Sequence, residues 1–271
     1  MRAVSTVLDV AVFLLLVSAA IGTLVYAPPP VADSHSARDT AALIATTTAT
    51  VEYEMGDRHR RGHGTIGTLL ARGALANLTL HDRPIPPLTE SFRGTVRTET
   101  RDVLKRPNNT QVVARWRPYR GAPIWGSITV GESPPAGVDV AVAKMMIPSP
   151  IESAQKEVPG RTSGYGGVAT RVARSVTSAL LPETALGAAV GQQTPTTLAS
   201  VGRYRAFGQA LNVSVARTLS RANVPVAHQT VTKALTRQLE ANLERRFDSP
   251  ATAEKALQTG SVALVVRRWK R

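Results

Sequence analysis

Apolar and polar positions follow three different patterns along the chain. Val4 to Ala27 is a run of 24 residues interrupted only by Ser5, Thr6, Asp9, Ser18 and Thr23. Roughly 20 apolar residues cross the hydrocarbon core as a helix. Pro28 to Pro30 ends such a helix, because proline lacks the N–H and clashes with the preceding turn. After a polar linker at residues 28–40 the pattern becomes mixed. Ala37 to Thr47 reads as a brief helix, and Thr48 to Glu54 alternates like a half-buried strand. MGDRHRRGHG at residues 55–64 reads as a turn-rich loop and HDRPIPP at 81–87 as another. Helices are expected over Thr65 to Leu78, despite its glycines, and over Ser91 to Lys105, where Phe92, Val96, Val103 and Leu104 recur at helical spacing. Gln111 to Tyr119, Ile124 to Val130 and Val138 to Ile147 are the clearest strands, giving a small sheet of about four strands.

The last third changes period. GYGG at Gly164 to Gly167 is a glycine turn leading into a helix stopped by Pro182. Thr197 to Ala222 and Val226 to Asp248 show apolar residues every three or four positions. Ser261 to Val266 is a strand that returns to the sheet of the first half. The expected fold is α+β: an N-terminal transmembrane helix, then an extracytoplasmic domain with a small, mostly antiparallel sheet and several helices. The division is a leader at 1–3, the membrane helix at 4–27, the linker at 28–40 and the domain at 41–271; a subdomain boundary near 150–160 is the alternative.

Charge orients this arrangement. Arg2 and the amino terminus are the only charges ahead of the apolar run, whereas the 15 residues after it carry Asp33, Arg38 and Asp39. The positive flank stays inside, so the N-terminus is cytoplasmic and the domain lies outside the cell membrane. An ordinary secretory signal has a shorter apolar region, and Pro28 follows the best small-residue cleavage site, Val25-Tyr26-Ala27, making it a poor substrate.

Arg2-Ala3 followed by Val4-Ser5-Thr6-Val7-Leu8 resembles the class III signal peptide of archaeal type IV pilin-like proteins, with Ala3 where glycine is usual. More broadly, RAVSTVLDV and RWRPYRGAP (Arg115 to Pro123) resemble a haloarchaeal membrane-protein family associated with pilus-like gene clusters. The resemblance implies cleavage between Ala3 and Val4, making Arg2, Ala3 and Val4 the processing site and leaving the apolar helix on the mature chain. Asp9, the sixth residue after that cut, also resembles the acidic residue that bacterial pilins carry at the fifth, which implies pairing with a neighbouring subunit's cationic terminus. The other reading of Asp9 is a shallow interfacial carboxylate without a partner, since acidic groups are favoured near a helix N-terminus and are costly only at depth.

Composition then narrows the chemistry. The chain has 271 residues and no cysteine, so disulfides, thiolate metal sites and a cysteine nucleophile are excluded. At 43% hydrophobic and 4% aromatic, its core is built from small and β-branched aliphatics. His59 and His63 sit four apart but among arginines, with no Cys or compact acidic set to complete a metal shell. No G-x-S-x-G or phosphate-loop motif is present, so neither a catalytic residue nor a cofactor is assigned. The formal net charge is +14. Its clusters are Arg58, Arg60 and Arg61; Arg115, Arg117 and Arg120 around Trp116 and Tyr119; and Arg267, Arg268 and Arg271. Interleaved arginine and aromatic residues suit phosphate contact with base stacking, a membrane surface, or a solvated face with cation–π packing. The sequons at Asn77, Asn108 and Asn212 agree with external exposure.

These features point to a non-enzymatic, membrane-anchored envelope protein, a pilin-like or accessory component with envelope protein partners. The alternative is a single-pass surface protein that binds DNA or another polyanion.

Overall fold

A computed structural model of the chain describes residues 34–55, 58–88, 91–105, 109–154, 164–181, 183 and 194–270. The apolar run at 4–27, with Arg2, Ala3, Val4 and Asp9, lies outside the described residues, as do Asn108 and Arg271. Among the described residues, no helix is long and apolar enough to cross a membrane.

The described residues begin with α1 (Ser34–Thr46), three residues earlier than its apolar spacing suggests, and continue into the hairpin β1 (Thr48–Met55) and β2 (Arg58–Thr65). Then come α2 (Ile66–Ala76), the short strands β3 (Leu78–Leu80) and β4 (Arg83–Ile85), and α3 (Ser91–Leu104). Strands β5 (Thr110–Trp116), β6 (Ile124–Val130) and β7 (Val140–Pro148) follow. The helical part comprises α4 (Tyr165–Leu180), α5 (Pro195–Ala210), α6 (Ala216–Ser220), α7 (Val224–Arg246) and α8 (Pro250–Lys255), before β8 (Ser261–Trp269) closes the chain. The fold is α+β.

Alternation builds the main sheet. Val112, Ala114 and Trp116, Ile124 and Ile128, and Val262, Leu264 and Val266 are all buried on one face. The sheet has six strands rather than about four, in the order β4-β3-β6-β5-β8-β7 and antiparallel throughout. The C-terminal strand does return to it: β8 lies between β5 and β7, with Val112 opposite Val266 and Ala143 opposite that same residue. β4 lies in the stretch expected to be a loop, and β3 starts at Leu78, the last residue of the helix expected from Thr65. Their brevity, and Pro84 on an edge where no ladder N–H is needed, kept the pattern below recognition.

Helix α2 crosses the buried face. Thr65 caps it, its hydroxyl accepting from the Thr68 N–H at 3.1 Å. Glycines allow close approach: a Cβ at Gly67 would lie 3.0 Å from Ile147, and one at Gly126 would collide with the Ala74 carbonyl. The hairpin is a second correction, since β2 is a strand where a loop was expected. Val51 faces Gly62 on its buried side, and the Tyr53 and Phe92 rings, 5.0 Å apart, supply the bulk that Gly62 lacks.

The opposite face of the main sheet is open. Val113, Arg115, Trp125, Ser127, Lys144 and Met146 are exposed or half-buried there. The helices pack beyond α2: α4 and α7 form a pair, with Val172, Val176, Val231 and Leu235 buried and the Thr177 and Thr232 hydroxyls 3.0 Å apart. The helix expected from Thr197 to Ala222 is broken. Asn212 adopts φ 61°, the Val213 N–H donates to the Gly208 carbonyl at 2.8 Å and the Asn212 N–H to Gln209 at 3.3 Å. This is a Schellman termination with asparagine in the left-handed position.

Candidate functional site

The arginines of RWRPYR are placed by strand alternation and one turn. Trp116 is fully buried, and its Nε1–H donates to the Thr259 carbonyl at 2.9 Å. Tyr119 is also buried. Its hydroxyl donates to Asn242 Oδ1 at 3.1 Å, and its ring meets Phe247 edge-on at 5.9 Å. Burial raises the Tyr119 pKa, partly offset by the Arg246 charge. Neither ring is available to stack on a ligand, which corrects the expectation built on Arg interleaved with these two aromatics.

The residue between the rings and its neighbours behave differently. Arg115 points to the open sheet face, opposite Ser127, and Arg120 is exposed in the turn. Arg117 is half-buried. Its pKa lies below the usual arginine value, first because of burial and then because of the Arg115 and Arg120 charges. The Arg115 and Arg120 charges thus act on Arg117. Arg246 of α7 reaches the same turn: a Cβ at Gly121, where φ is +79°, would run into its guanidinium. Among the described residues, none of the four forms an ion pair.

Arg115, Arg117, Gly121, Ala122 and Trp125 line a shallow cavity of about 330 Å³. Trp125 is the aromatic residue that the sequence reasoning missed. Its parity in IWGSITV, out of step with buried Ile124, Gly126 and Ile128, would have identified it as facing outward. Arg246 had no signal in the sequence, because it reaches the turn only through the packing of α7. Guanidinium groups bind carboxylate or phosphate oxygens through paired N–H donors, and an indole beside them adds an apolar wall. Anion binding is the chemistry that the described lining residues can supply.

Among the described side chains, those of the other basic clusters do not line this cavity. Arg60 and Arg61 are on opposite faces of β2, and exposed Arg61 pairs with Glu52 at 2.7 Å, a contact worth little in water. Arg58 lies at the start of that strand. Arg267 donates to Gln111 Oε1 at 2.9 Å on the open sheet face, whereas Arg268 donates to the Ser36 carbonyl at 3.4 Å on the other. His59 and His63 share a face of β2, where His63 Nδ1 is 3.0 Å from the Thr50 hydroxyl. Among the described residues, no group of three or more His, Asp or Glu is placed to hold a metal ion. Asn77 donates to the Ser127 carbonyl at 2.8 Å and accepts from Arg93, whereas Asn212 is exposed.

No curated protein and no solved structure matches the chain. Residues 8–269 match a family of unknown function, DUF7284, and across that span the protein belongs to it.

Proposed function

We propose that this is a non-enzymatic, single-pass protein of the cell envelope, a pilin-like or accessory component. Its N-terminal segment holds it in the membrane, and its outer part docks an acidic protein surface through Arg115, Arg117, Arg120 and Arg246. The observation that carries the reading is the pair of guanidinium groups, Arg115 and Arg117, that line one cavity with Trp125, with the Arg120 charge acting on Arg117, Arg246 reaching the adjoining Gly121, and no carboxylate among the described residues paired with any of them. Such a cluster repels itself and gains most from an anionic partner, by steering the encounter and by direct pairing. The 24-residue apolar run and its N-terminal positive flank support the anchor and the external position of the rest.

The test is binding of a fluorescein-labelled polyglutamate peptide to the purified full chain, followed by anisotropy across a salt series. The expected result is salt-sensitive binding that falls about tenfold or more in an Arg115→Gln/Arg117→Gln variant, a loss of roughly 1.4 kcal/mol. Unchanged binding in the variant removes this cluster from the account. Trp125 favours a second reading, a polyanion binder that stacks bases on an aromatic platform. Tighter binding of single-stranded DNA than of the peptide, lost in Trp125→Ala, selects that reading.

A further inference from the structure

Another arginine is buried with no carboxylate among the described residues to neutralise it. Arg203 of α5 is only 4% exposed, its Nε has no hydrogen-bond partner, and it forms no ion pair among the described residues. Burial alone lowers its pKa, to about 10, so it remains a cation at neutral pH. It lines a groove of about 360 Å³ together with Met55, Leu75, Phe92, Ile151 and Leu180. Those residues come from β1, α2, α3, the segment after β7, and α4. The groove shares no lining residue with the Arg115 cavity.

A buried charge without a partner is strongly unfavourable, and an apolar residue of similar length would fill the same space without that penalty. Leucine or methionine would serve a purely structural role at this position. An apolar concavity with one convergent charged group is the usual form of a small-molecule site, and its volume is at the lower end of such sites. We infer that this groove binds a small amphiphilic carboxylate, with its apolar body against Leu75, Phe92 and Leu180 and its carboxylate on the Arg203 guanidinium. One buried guanidinium matches one carboxylate in charge and in its pair of N–H donors. Arg72, the other cation on the lining, is exposed at the rim, where water screens it.

The experiment is calorimetric titration and thermal melting of the full chain with 4-phenylbutyrate. Acetate tests the need for an apolar body, 4-phenylbutan-1-ol the need for charge, and phenyl phosphate the preference for a monoanion. The expected result is saturable binding of 4-phenylbutyrate with a raised melting temperature, and at least tenfold weaker binding of each of the other three. Arg203→Met should lose at least tenfold in affinity while melting, without ligand, no lower than the wild type. Arg203→Lys should retain part of the affinity, and Arg115→Gln all of it. The proposal is overturned if the alcohol matches the acid, if phenyl phosphate binds more tightly, if Arg203→Met binds normally or unfolds, or if 4-phenylbutyrate shows no saturable binding.

Discussion

Thr259 joins the returning end of the chain to the rest of the fold, and replacing it with valine tests that junction. Its carbonyl accepts the Trp116 indole N–H at 2.9 Å, and its hydroxyl accepts the Ala154 N–H at 2.8 Å. Thr259 and Ala154 are each 1% exposed, so water cannot replace a lost partner. Valine keeps the shape and removes only the acceptor, leaving a buried N–H unpaired at about 1–3 kcal/mol. At about 2–4 °C per kcal/mol for a chain of this size, melting should fall by about 2–12 °C. Thr259→Ser keeps the acceptor and loses a methyl group, about 0.8 kcal/mol. The sign is decisive because valine is the more apolar residue: without the hydrogen bond's contribution, Thr259→Val would be neutral or stabilising. Differential scanning calorimetry of both variants gives the answer, and a valine variant at least as stable as the wild type refutes the reasoning. The same junction holds residues 149–154, through the Ser149 N–H to the Gly260 carbonyl at 3.0 Å, and so supports the Ile151 wall of the Arg203 groove.

Other tests follow from burial and backbone geometry. Tyr119 and Tyr204 have raised pKa values, in both cases mainly from burial, with Glu183 adding to the shift of Tyr204. Their contribution to stability is complete below the unfolded tyrosine pKa near 10 and is lost as pH rises through the folded values. Arg203, with its pKa lowered to about 10, acts in the opposite sense, relieving a penalty as pH rises from there towards its higher unfolded value. With two large shifts at the tyrosines against one at Arg203 and a smaller one at Arg117, stability should decline above pH 10 in chemical denaturation series, and Tyr119→Phe/Tyr204→Phe should flatten or reverse that slope. Ala222 adopts φ 58° at the end of α6, where an L side chain is strained. Ala222→Gly should therefore raise stability by up to about 1 kcal/mol in urea melts, the strain relieved exceeding the entropy that glycine loses. If the sequons are used, Asn212→Gln should remove a glycan from the intact mass and Asn77→Gln should not, because the Asn77 amide is engaged with Ser127 and Arg93.

The legible parts of the fold were those in which one side of an element is buried. Ile124, Ile128 and Val130, with Val262, Leu264 and Val266, alternate cleanly, and those strands and their shared sheet follow from the pattern. RHRRGHG lacked such a pattern because Gly62 occupies the buried position and neighbouring rings supply the bulk. The break after α5 depends on Asn212 taking a left-handed conformation, which periodicity does not register. At the candidate site, Arg115, Arg117 and Arg120 were legible as a cluster. Trp116 and Tyr119 were misassigned because their positions among arginines outweighed their strand parity and packing. Arg246 and Arg203 act through contacts between distant elements, which no local window contains.

The central claim is that the arginine-rich turn beside Trp125 docks an acidic partner outside the membrane. A photo-crosslinking amino acid at Ser127, opposite Arg115 on the open sheet face, tests this directly in intact cells. The account predicts a discrete adduct with an acidic envelope protein, lost when Arg115 and Arg117 are both changed to glutamine. An adduct that survives those changes, or the absence of any adduct while the protein is present at the cell surface, would contradict it.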